Sequence, residues 1–200
     1  MERSSKFLSL SGLSGVSAGI VALLGAGAAY VRLQNNHLTL LSYERISRLN
    51  GPARQEMVDF LILDGAIVLA VALLLGIFFT VRKARRQGHG VWNSTSKRLL
   101  WALMVPLVTG GIFCLALIQF NLIWLTFPTT LIFYGMALCS GSKYTVRDVE
   151  YLGLSEVMLG LLALFWTGYS LLTWAVGFGV LHIVYGTVMY LKYERDERKP

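Results

Sequence analysis

The chain predicts an all-α polytopic membrane protein: six transmembrane helices in three hairpins, with both termini cytoplasmic. Three observations carry this. Of 200 residues, 55% are hydrophobic and only 14% charged, and the mean hydropathy is +0.59. A soluble domain carries about a quarter charged residues, so a soluble monomer and a disordered chain are poor fits. The apolar residues fall in long uncharged runs of the length a helix needs to cross a bilayer, about 20 residues. The basic residues sort to one side of those runs.

The first uncharged run covers residues 7–31, between Lys6 and Arg32. Its basic start and Ala26-Gly27-Ala28 resemble a cleavable signal peptide, but the run exceeds a usual signal core, so the segment is expected to be retained. The second span is expected over 58–81, with Asp59 and Asp64 toward its outer end. Residues 99–142 lack any charged side chain, too many for one span. They divide at Gln119-Phe120-Asn121 into spans 99–118 and 124–142, with Pro128 tolerated in the first turns of the latter. The last two spans, 149–166 and 170–191, divide at Thr167-Gly168-Tyr169-Ser170. One transmembrane domain accounts for residues 1–200. The loop 32–57 alternates Leu38, Leu40, Leu41, Tyr43, Ile46 and Leu49 with polar residues, the pattern of an interfacial helix ended by Asn50-Gly51-Pro52.

Six spans place Arg3, Lys6, Arg82, Lys83, Arg85, Arg86, Lys97, Arg98, Lys143, Arg147, Lys192, Arg195, Arg198 and Lys199 on one side. Only Arg32, Arg45, Arg48 and Arg54 fall on the other. The positive-inside rule makes the first side cytoplasmic. The net charge of +7 therefore reads as orientation. Because the basic residues form no single stripe with interleaved aromatics, no nucleic-acid partner is expected. Membrane lipids are, and Arg82, Lys83, Arg85 and Arg86 form the densest candidate contact for anionic headgroups. Small residues recur at helix-packing spacing: Gly12, Gly15 and Gly19; Gly153, Gly160 and Ala163; Gly177, Gly179 and Gly186. A homodimer through Gly15 and Gly19 is one expectation from this pattern.

The chemistry-bearing residues are few. Cys114 and Cys139 lie toward opposite ends of successive spans, too far apart for a disulfide. No nucleotide-binding, metal-binding or hydrolase motif is present, no cofactor or metal is expected, and no catalytic constellation can be assembled, so an enzyme is not the expected class. Ionisable residues at membrane depth are expensive unless paired or facing water. Glu156 and His182 qualify. Their heights should differ by about 5 Å on adjacent helices, with Tyr134 and Tyr185 at similar depth. Asp64 is a second, separate candidate, with Arg32 as its expected partner or an outer vestibule as its setting. Asp148 and Glu150, near Lys143 and Arg147, read as a cytoplasmic rim.

Four strings stand together: residues 2–12 (ERSSKFLSLSG), 95–100 (TSKRLL), 106–111 (PLVTGG) and 177–186 (GFGVLHIVYG). They resemble a family of small multispanning bacterial inner-membrane proteins that has no assigned activity. The resemblance implies a bacterial inner-membrane location and brings no site residues. Two functional classes follow from the residues themselves. One is a membrane protein that binds or transports a small molecule, lipid or proton through the polar cluster of Glu156, His182, Tyr134, Tyr185 and Asp64. The other is a non-catalytic structural or regulatory protein acting through partner helices and basic cytoplasmic loops.

Overall fold

The computed structural model describes residues 11–35, 51–86 and 92–193. Six long helical stretches run through them: α1 (Gly12–Asn35), α2 (Gly51–Arg86), α3 (Ser94–Gln119), α4 (Thr126–Gly141), α5 (Asp148–Phe165) and α6 (Ser170–Tyr193). All-α, polytopic membrane architecture is thus established. Five stretches are long and apolar enough to cross a bilayer, α4 when counted with the short 3-10 turns at either end of it. The remaining one, α5, is 18 residues long and carries Asp148, Glu150 and Glu156. The expected interfacial helix in 32–57 falls mostly outside the described residues.

Several helices outrun their apolar windows, because a helix need not stop where its side chains become charged. The second does so most: α2 spans 36 residues rather than 58–81. At 1.5 Å per residue it is about 54 Å long, well beyond a hydrocarbon core of about 30 Å. Gly51, at φ +65°, and Pro52 open this helix, which locates the expected Asn50-Gly51-Pro52 break at its start. Likewise α3 begins at Ser94, because Asn93 caps it: its Oδ1 accepts from the Ser96 N–H at 2.8 Å. The break at Gln119-Phe120-Asn121 is a Schellman turn. Asn121 takes φ +64°, Leu122 N–H donates to the Leu117 carbonyl and Asn121 N–H to the Ile118 carbonyl.

Packing divides the molecule. One pair of helices, α1 and α6, meets along glycines: a Cβ on Gly19 would lie 2.6 Å from the Gly179 carbonyl oxygen, and one on Gly15 3.0 Å from the Gly186 Cα. A second pair, α4 and α5, does the same. A Cβ on Gly135 would stand 2.5 Å from the Gly153 carbonyl oxygen, and one on Gly160 2.9 Å from that of Pro128. Glycine permits this approach because lipid offers no hydrophobic drive for association and close backbone contact must supply it. The Gly15 and Gly19 face is therefore occupied by α6 of the same chain. The homodimer expected through these two residues is not shown. Outside these seams, α2 packs chiefly on α1, and α3 on α4.

Two apolar clusters fill the bundle's ends. Ala26, Ala29, Leu33, Met57, Val58, Ile123 and Leu171 lie at the end where α1 stops and α2 begins. Leu138, Val149 and Leu152 lie at the opposite end, with Tyr134, Leu181 and Tyr185 packed against them. The polar residues at depth sit between the two.

Candidate functional site

The site is built by α4, α5 and α6. Glu156 stands eight residues into α5, on the same helical face as Asp148 and Leu152, and its side chain is 0% exposed. His182 is 5% exposed. Its Nδ1 lies 3.3 Å from Glu156 Oε1, an ion-pair contact whose angles fall short of a hydrogen bond. The other glutamate oxygen, Oε2, has no hydrogen-bond partner among the described residues. On the far side of the ring, His182 Nε2 is 2.8 Å from the Tyr134 hydroxyl. The structure thus brings Glu156, His182 and Tyr134 together.

The helix carrying the histidine is locally irregular. Residues Ala175–Leu181 form a π-helical segment that ends at His182. Within it, the Gly177 carbonyl accepts from His182 Nδ1 at 3.0 Å. The same glycine makes room for the acid: a Cβ there would lie 2.5 Å from Glu156 Oε2. Single π turns inside α-helices recur at functional sites because they redirect one carbonyl out of the helical ladder. The Tyr134 and Phe178 rings lie against the histidine. Phe178 stacks on it at 5.8 Å between centroids, and Trp174 and Phe127 continue the column toward the Arg32 end.

Chemistry constrains the protons. A carbonyl oxygen only accepts, so His182 Nδ1 carries a proton. Nε2 then accepts from Tyr134 in a neutral ring, or donates to it in an imidazolium. An ionised Glu156 beside a neutral ring would be a buried, uncompensated charge. Two neutral arrangements avoid that: a protonated acid with neutral imidazole, or a carboxylate with imidazolium. Either arrangement carries one proton more than an ionised acid beside a neutral ring.

The other expected residues are elsewhere. Tyr185 lies one turn beyond His182, with its buried hydroxyl unpartnered among the described residues. Asp64 faces α1: its Oδ2 is 3.5 Å from where a Gly25 Cβ would stand. Arg32 reaches Glu56, one turn into α2, and its guanidinium lies 5.6 Å over the Phe60 ring. Helix α2 extends far enough past its apolar window to supply this carboxylate. Asp148 also has partners other than Lys143 and Arg147. It accepts from the Tyr193 hydroxyl at 2.6 Å and from Lys192 Nζ at 2.9 Å, joining the start of α5 to the end of α6. These bonds, the Tyr193 hydroxyl foremost, hold its carboxyl below the usual carboxylate range. Arg82, Lys83, Arg85 and Arg86 form the last turns of α2, where cations complement the helix dipole. Among the described residues, no group of three or more His, Cys, Asp or Glu could hold a metal. Both cysteines are free thiols.

Sequence reasoning did not anticipate Gly177 as the histidine's partner, the π turn, or the Asp148–Tyr193–Lys192 clasp. The first two were signalled only by Gly177-Phe178-Gly179, two weak helix formers inside an apolar span. The clasp could have been read from register, since Asp148 and Glu156 share a face of α5. The chain matches no protein-family model, no curated protein sequence and no solved structure.

Proposed function

We propose that this polytopic membrane protein binds, and by exchanging it moves, one positive charge at Glu156, His182 and Tyr134: a proton, or a small cationic solute that replaces it. The observation that carries this reading is the fully buried glutamate, with one oxygen against His182 Nδ1 and the other unpartnered. A carboxylate kept in such a place is costly unless it is neutralised, and the cheapest neutralising species is a proton. Tyr134 and His182 supply a hydrogen-bonded route to it. Asp64, away from the cluster, belongs in this proposal to a separate polar site between α1 and α2.

The orientation proposed with it puts the Asp148 end in the cytoplasm, following the basic residues, and the protein in a bacterial inner membrane. The basic end of α2, Arg82 to Arg86, would meet anionic headgroups there. A structural or regulatory role without exchange is the second reading. It is favoured by the dense glycine seams, which seal the cluster on the α4 and α6 sides.

Infrared difference spectra of the protein in nanodiscs, recorded between acid and alkaline buffer, separate the two. The exchange reading expects carboxyl or imidazole bands that vanish in Glu156→Gln. Spectra of the variant identical to those of the parent, with the fold intact, would leave the structural reading.

A further inference from the structure

Between the buried cluster and the Asp148 clasp lies one turn of α6 with an oxygen that packing does not explain. The Tyr185 hydroxyl is buried and has no hydrogen-bond partner among the described residues. Its ring packs with Tyr134 against Leu138, Val149 and Leu152. Phenylalanine would fill the same ring volume without stranding a hydroxyl in apolar surroundings, so a purely structural residue here would be better without the oxygen. By position, Tyr185 is three residues from His182 and eight from Tyr193, about 4.5 Å and 12 Å along the helix axis. Leu152 on α5 and Met189 on α6, which lie between the two polar levels, are buried and apolar.

We propose that Tyr185 is the relay through which protons pass between the Asp148–Tyr193 clasp and the Tyr134–His182–Glu156 cluster. This rests on the exchange reading above and names its route. The polar groups this route would connect are Tyr134 from α4, Asp148 and Glu156 from α5, and His182, Lys192 and Tyr193 from α6. Helix α1 brings no titratable side chain to this length of α6 between Gly12 and Gly19. Tyr134 and Tyr185 share one apolar cluster, and Val149, next to Asp148 at the start of α5, belongs to it.

The transfer balances as follows. Tyr134 gives its hydroxyl proton to His182 Nε2 and accepts one from Tyr185. Tyr185 is reprotonated from the Asp148–Tyr193 side, with water bridging where hydroxyls do not meet. One proton enters, both tyrosines end as they began, and the unloaded pair, a Glu156 carboxylate beside a neutral imidazole, becomes a carboxylate beside an imidazolium with no net charge. Nε2–H then donates to the Tyr134 oxygen, reversing the polarity of the 2.8 Å bond.

The test is a photoreleased acid jump on the protein in nanodiscs, with the Glu156 and His182 infrared bands followed in time. Tyr185→Phe is expected to slow their appearance tenfold or more, leave the final amplitude unchanged, and keep or raise the unfolding temperature. Equal rates in Tyr185→Phe and parent would overturn the relay while the exchange reading stands. No Glu156-dependent band in the parent would overturn both. Should Tyr185→Phe unfold, a Tyr185 carrying fluorinated phenol in place of the native ring keeps the question open to measurement: a rate that follows the phenol's acidity supports the relay, and a rate indifferent to it refutes it.

Discussion

The two glycine-seamed helix pairs and the two outlying helices differ in composition and in role. Both α2 and α3 are more apolar by window than α1, α4 or α6, yet they are the least buried. None of the most apolar window of α2 is buried, against 39% for α1. In water that would be a contradiction. In lipid it is expected, since apolar surface gains nothing from being covered by protein and the inner helices are chosen for small residues instead. Hydropathy therefore finds the spans, while glycine and polar residues find the interior.

The largest expected effect comes from breaking a seam. Gly135→Leu drives a side chain into the Gly153 carbonyl and Val157, so backbone must move, and it should destabilise the fold by more than His182→Ala does, read as thermal unfolding in detergent. Next is His182→Ala, which strands Glu156 and the Tyr134 hydroxyl together. Removing one partner of a buried pair costs about 3–5 kcal/mol. Glu156→Gln keeps the shape and removes the charge, so it should cost clearly less than His182→Ala in the same assay.

A smaller effect is pH-dependent. Asp148 is held below the ordinary carboxylate range by Tyr193 and then Lys192. A carboxyl depressed in the folded state contributes its full stability above the ordinary carboxylate value. That contribution is lost as the pH falls past it through the depressed one. The unfolding temperatures of parent and Asp148→Asn should differ at neutral pH and converge in strong acid. The smallest effect is on the outer surface. Leu74 is 68% exposed on α2, and Leu74→Ala should change stability by no more than about 0.5 kcal/mol. A large loss there would mean that α2 packs against something other than lipid.

The same contrast explains what was legible in the sequence. Uncharged runs gave the helices and their breaks, including the Asn121 turn, because the bilayer fixes the length of an apolar segment. The meeting of Glu156 and His182 was also within reach, since ionisable residues at depth are few and helical rise gives their heights. Side-to-side neighbours were not. Arg32 had several carboxylates in range, and only the continuation of α2 down to Gly51 decides for Glu56. The use of Gly15 and Gly19 within the chain depends on where α6 lies, which no local pattern encodes. The π turn depends on a single extra residue in a helical ladder and leaves only a pair of glycines as its trace.

The most direct probe of the proposed shared proton is the 15N spectrum of the His182 ring in lipid, recorded across pH in the parent and in Glu156→Gln. The Gly177 carbonyl requires Nδ1 to stay protonated throughout, while Nε2 gains and loses its proton in the parent and does so differently once Glu156 is neutral. A ring with Nδ1 bare, or one whose titration ignores Glu156→Gln, would contradict the pairing on which the proposed exchange depends.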